Sequence, residues 1–145
     1  GAAQVATWVV DPSYLLARNP TCEASPEFKL ELAGYGPAAF KMILVPQGAS
    51  TFRRSQGRGR VQLKCFSPVE RGVAPVRFSI AVQAQADAGG GETFTHDFAR
   101  SALWAKEHEP VYLHAGAAVA RQPGGRAARS VVLIRLEVLG GAGCT

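Results

Sequence analysis

Apolar and polar residues alternate with a period of two over much of this chain, the pattern of strands with one face on a core and the other in water. From Arg60 onward, Val61, Leu63 and Cys65 share one face while Arg60, Gln62 and Lys64 share the other. Val76 to Gln83 repeats the design, and Phe40, Met42 and Leu44 form the inward set of Ala39–Val45. Near the end, Val132, Ile134, Leu136 and Val138 alternate with Leu133, Arg135, Glu137 and Leu139. Further strand candidates are Gln4–Val10, Glu27–Leu32, Thr93–Phe98 and Pro110–Leu113.

Turn-forming clusters separate these segments: Asn19-Pro20, Gly34-Tyr35-Gly36-Pro37, Pro46-Gln47-Gly48, Gly57-Arg58-Gly59, Gly89-Gly90-Gly91 and Pro123-Gly124-Gly125. Short strands so punctuated predict an all-β protein, an antiparallel β-sandwich of about seven or eight strands. No long stretch keeps the 3.6-residue period of a helix. One helical turn is expected around Asp97–Lys106, where Phe98, Ala102 and Lys106 fall at helical spacing. The sandwich is expected to occupy residues 1–139, followed by a flexible Gly-rich tail at 140–145.

Strand position sorts the aromatic residues. Trp8, Phe40, Phe66, Phe78 and Phe98 have apolar neighbours and are expected in the core. Tyr14, Tyr35 and Trp104 fall in or beside connections, which makes them candidate interface anchors.

Composition agrees with one globular domain: 145 residues, of which 47% are hydrophobic and 19% charged. No apolar run approaches the roughly 20 residues of a membrane-crossing helix. The net charge of +5 raises the prospect of an anionic partner, and 12 of the 16 basic residues are arginine. They are spread along the chain, with one concentration from Arg53 to Arg60. That segment reads as a mobile loop between two strands. It is either simply solvated or a grip for an acidic protein patch or lipid headgroups through Arg53, Arg54, Arg58 and Arg60. It lacks the interleaved aromatics of a nucleic-acid stacking platform, so nucleic acid is not expected. Arg121, Arg126 and Arg129 form a second, sparser basic stretch.

Catalysis needs converging groups, and the sequence offers few. His108 lies between Glu107 and Glu109 in a polar connection, and none of the histidines, His96, His108 and His114, has the HxxxH or HExxH spacing of a metal site. His96 and Asp97, being adjacent, would face opposite sides of a strand. The glycine runs lack a phosphate-binding signature. Cys22, Cys65 and Cys144 are an odd set without CxxC spacing; Cys65 reads as a buried small hydrophobe, and a Cys22–Cys65 bridge stays open. No catalytic residue, metal or cofactor is expected.

The order of segments resembles the MATH domain, the TRAF-like β-sandwich. The matching elements are Thr7-Trp8-Val9-Val10, Ser25-Pro26-Glu27-Phe28, the strand Phe40–Val45 ending in Pro46-Gln47-Gly48, and Phe78-Ser79-Ile80. Phe94-Thr95-His96-Asp97-Phe98 and Leu136-Glu137-Val138 complete the series. The Ala-, Gly- and Arg-rich character resembles in particular the versions found in some algae. The resemblance implies a non-enzymatic module that binds peptides or partner proteins. It places Val61, Val76 and Gly89–Gly91 where the ubiquitin-ligase adaptor branch lines its peptide groove with aromatics. With that groove absent, the expected role is a structural accessory subunit docking onto a larger multi-protein complex. The alternatives are a peptide-binding adaptor and a basic binder of anions or acidic proteins. The composition and the algal resemblance allow an organellar, plastid complex such as a photosynthetic one, with the cytoplasm as the alternative, and the start at Gly1-Ala2-Ala3 fits a form cut after a targeting peptide. Membrane association would then be peripheral, through the complex.

Overall fold

The computed structural model describes residues 4–82, 92–106, 111–112 and 131–139. Their strands are β1 (Gln4–Val10), β2 (Glu23–Ala24), β3 (Phe28–Leu32), β4 (Gly36–Pro46), β5 (Arg58–Cys65), β6 (Val76–Val82), β7 (Glu92–His96), β8 (Leu103–Ala105), β9 (Val111–Tyr112) and β10 (Val132–Val138). One helix, α1 (Pro12–Arg18), follows β1. The first sheet has the order β1-β10-β6-β7; in the second, β4 and β5 are central, with β2 and β3 on one side and β8 and β9 on the other. Every pairing is antiparallel, and the two sheets pack together as an all-β sandwich. The strand count exceeds the expected seven or eight because both flanks of the β4–β5 pair are built from short pieces.

The period-two pattern sets which face is buried. Phe40, Met42 and Leu44 of β4 lie opposite Cys65, Leu63 and Val61 of β5, and all six are buried. From the first sheet, Trp8, Phe78, Ile80, Ile134 and Leu136 meet them. Burying each large apolar side chain is worth about 1.5–3 kcal/mol, so this layer supplies the main drive to fold. Aromatic edges tie the sheets together: Trp104 meets Phe78 edge-on at 4.9 Å, and Phe40 meets Phe98 likewise at 5.0 Å. At one open side, Gln4 of β1 grips the β3 backbone, its Nε2 donating to the Glu31 carbonyl at 3.1 Å and its Oε1 accepting from the Glu31 N–H at 2.6 Å.

Several sequence expectations need correction. The helical turn expected at Asp97–Lys106 is only a tight turn, in which the Asp97 carbonyl accepts from the Arg100 and Ser101 N–H groups before β8 begins. The helix lies instead at Pro12–Arg18. Asp11 caps it by accepting from the Ser13 and Tyr14 N–H groups, Pro12 starts it, and Asn19 ends it in the left-handed conformation (φ 51°). Its seven residues are too few for an apolar period to show; Pro12 and Leu15 are its buried contacts.

Phe66, expected in the core, is 47% exposed. Cys65 faces inward, so the next residue along the strand must face out. Among the described residues no helix is long and apolar enough to cross a membrane. The stretches around His108, His114, Gly89–Gly91 and Arg121–Arg129, with Cys144 and the tail, lie outside the described residues.

Candidate binding surface

The arginine segment is the connection between β4 and β5, and it folds into a hydrogen-bonded turn. Thr51 to Ser55 make one helical turn, closed by Gly57 N–H to the Phe52 carbonyl (2.8 Å) and Gln56 N–H to the Arg53 carbonyl (3.1 Å). This is the paired closure of a helix C-terminus, with Gln56 (φ 59°) and Gly57 (φ 78°) both left-handed. The Ser55 hydroxyl, buried inside the turn, donates to the Arg58 carbonyl at 2.8 Å. Phe52 is fully buried, and its ring packs near Gly59, where a Cβ would lie 3.5 Å away, at ordinary contact distance.

That geometry separates the four candidate arginines. Arg53 is committed to α1: its Nε donates to the Leu16 carbonyl (2.8 Å), its second guanidinium nitrogen to the Ala17 carbonyl (3.2 Å), and its backbone N–H to Asn19 Oδ1 (3.1 Å). A cation on the open carbonyls of a helix end is a structural contact, so Arg53 is not a free grip. Arg54 is exposed beside it. Arg58 donates through Nε to the Ser55 carbonyl at 3.1 Å. Arg58 and Arg60 belong to β5 and sit on its outward positions.

The outward positions of the second sheet form a basic face. Lys41 of β4 lies directly opposite Lys64 of β5, and Arg60 opposite Val45. The Lys41 and Lys64 ammonium groups sit 5.4 and 5.2 Å from the centre of the Phe66 ring, a double cation–π contact on an exposed phenyl. Leu103 of β8 is opposite Lys64 and is 39% exposed. Sequence reasoning missed this face because it looked for a cluster in one run of the chain. The signal was present in strand parity, which puts Lys41, Lys64 and Phe66 on the solvent side once Met42 and Cys65 point inward.

The candidate interface aromatics do not converge. Tyr14 is exposed on α1, with Arg18 over its ring at 5.3 Å. Tyr35 is exposed in the β3–β4 turn, at the other end of β4 from the loop that docks on α1. Along that strand the two ends are roughly 30 Å apart. Trp104 is not in a connection: it is buried in β8, opposite Leu63, and its ring is engaged with Phe78 and Phe94. Between the sheet edges β7 and β8, Trp104 and Phe94 floor a cleft of ≈ 500 Å³ flanked by Glu92, His96 and Lys106.

His96 and Asp97 have separate local roles. The partner of His96 Nε2, at 2.9 Å, is the Ser101 carbonyl, which can only accept, so that nitrogen carries the hydrogen. Asp97 accepts from the Ala99 N–H at 3.0 Å and shapes the turn. Cys22 and Cys65 are both free, so the open question of a bridge between them is answered. Burial pushes the Cys65 thiol above its ordinary pKa, partly offset by the Ser67 backbone beside it. Among the described residues no three His, Cys, Asp or Glu side chains gather where they could hold a metal. Val61 and Val76, matched by the resemblance to groove-lining positions, are buried core residues.

No model of a known family matches the chain, and no curated protein matches it.

Proposed function

We propose that this protein is a non-catalytic interaction module, a MATH-like sandwich that docks as a structural subunit onto a larger protein assembly. One observation carries the reading. The outward face of the second sheet holds an exposed phenyl, Phe66, and an exposed Leu103 beside paired lysines on two hydrogen-bonded central strands. Apolar groups rimmed by charge on a rigid support are what a protein interface needs, because little ordering is required on contact. The order of the MATH-like segments supports the same class of function. The test is native size separation of the protein from its own source, combined with cross-linking mass spectrometry. It should run with a larger assembly; recovery only as a free monomer would sink the reading.

A second reading, a peptide-binding adaptor, is favoured by the cleft floored by Phe94 and Trp104 between the edge strands β7 and β8. An extended peptide there could add its backbone to the strand edge and place a side chain on the two rings. A peptide-array screen with no binder at micromolar concentration would remove it.

A further inference from the structure

Like charges directly opposite each other on a sheet repel, and Lys41 and Lys64 occupy such a register. Phe66 relieves part of that cost by lying under both ammonium groups. Among the described residues neither lysine has an ion pair. Among the described outward positions of β4, β5 and β8 there is no Asp or Glu; on the β3 side, Glu31 is opposite Pro37 at the far end of β4, and the exposed Glu27 in the bulge across from Lys41 makes no ion pair with it. Further along β5, Arg60 keeps a buried Nε with no hydrogen-bond partner among the described residues. A buried donor without an acceptor costs stability unless something supplies one. The face therefore combines unrelieved positive charge with two exposed apolar side chains, Phe66 and Leu103.

We propose that the occupant of this face is an acidic segment of a partner protein. Its carboxylates bridge Lys41 and Lys64, and an apolar side chain rests between Phe66 and Leu103. The proposal deepens the docking reading above and rests on it. Charge complementarity selects the partner: a carboxylate between the lysines converts a repulsive pair into two attractive ones, and the exposed phenyl rewards an apolar neighbour that an isolated anion lacks. A nucleic-acid strand fits less well, since one exposed ring offers no succession of stacking platforms.

The test uses the full chain and a fluorescent synthetic peptide of glutamates around a central Leu-Phe pair, followed by anisotropy and by NMR shift mapping. The expected result is salt-sensitive binding, with shifts at Lys41, Lys64, Phe66 and Leu103. Affinity should fall by about tenfold in the double variant K41E/K64E and recover when the peptide glutamates are replaced by lysines. Unchanged affinity in a folded K41E/K64E protein would overturn the proposal. So would shifts confined to another surface, or tighter binding to oligo-dT or to phosphatidylserine-containing vesicles than to the peptide. The two levels separate in the native source. If K41E/K64E still enters the assembly, this face is wrong while docking stands; if the unmodified protein never leaves the monomer fraction, both fail.

Discussion

Ser25 and Met42 exchange two hydrogen bonds at the edge of the second sheet, and one of them runs through a side chain. Ser25 N–H donates to the Met42 carbonyl at 2.8 Å, while Met42 N–H donates to the Ser25 hydroxyl oxygen at 2.9 Å. The reason is a bulge. Ser25, Pro26 and Glu27 span the gap between the β2 and β3 pairings, whereas β4 needs only Lys41 and Met42. The extra residue takes a backbone acceptor out of register, and the buried hydroxyl replaces it. Ser25→Ala should leave the Met42 N–H buried and unpartnered, costing about 1–3 kcal/mol. Urea unfolding should show this as a lower midpoint with an unchanged slope. A wild-type midpoint would mean that water or a backbone shift restores the bond.

Arg53 should behave as a structural residue and Arg54 as a surface one. Arg53→Ala removes a guanidinium from two helix-end carbonyls of α1, at an expected cost of about 1 kcal/mol. Hydrogen exchange should speed up at the α1 C-terminus and in the Thr51–Gly57 turn. Arg54→Ala should stay within about 0.5 kcal/mol of wild type, as for most surface changes. Equal effects from the two substitutions would contradict the docking of this loop on the helix.

Two phenylalanines reverse what their positions in the sequence suggest. Phe52 lies in a glycine- and arginine-rich connection yet is fully buried; Phe66 ends a strand yet is 47% exposed. Phe52→Ala should cost about 3–5 kcal/mol, the range for emptying an aromatic core position. Phe66→Ala should cost less than about 1 kcal/mol, because it loses exposed cation–π contacts and little buried area. Thermal unfolding of the two variants checks the order, and a larger loss for Phe66 would refute the burial assignment.

The same contrast shows what the sequence discloses. Strand parity carried the long central strands, since the inward sets of β4, β5, β6 and β10 are buried as the alternation predicts, apart from the half-buried end residues Val82 and Val138. It also held the answer for Phe66, which its apolar character obscured. The helix had local signals, Asp11-Pro12 at its start and Asn19 at its end, but too few turns for a period. The bulge at Ser25 and the commitment of Arg53 to α1 depend on partners 17 and 34–37 residues away, and no local pattern encodes such contacts. The basic face was legible only in part: parity puts Lys41, Lys64 and Phe66 on the solvent side, but Lys41 and Lys64 become neighbours only through the β4–β5 register.

Cys22 and Cys65 should differ sharply in reactivity. Cys22 is exposed, whereas Cys65 is buried, donates its thiol to the Ser67 carbonyl at 3.5 Å, and has its pKa raised chiefly by desolvation. Only the thiolate reacts, so N-ethylmaleimide should label Cys22 promptly and Cys65 only on unfolding, as mapped by peptide mass spectrometry. The raised value also gives a pH dependence. The folded state holds Cys65 protonated where the unfolded chain would release the proton. Its stabilising contribution is therefore complete below the unfolded thiol value, roughly pH 8.5, and is lost as pH rises through the folded one. Unfolding from pH 7 to pH 10 should show a steeper fall for wild type than for Cys65→Ala, the comparison isolating the contribution of this thiol. Parallel curves, or labelling of Cys65 in the native protein at the rate of Cys22, would show that this thiol is open to solvent.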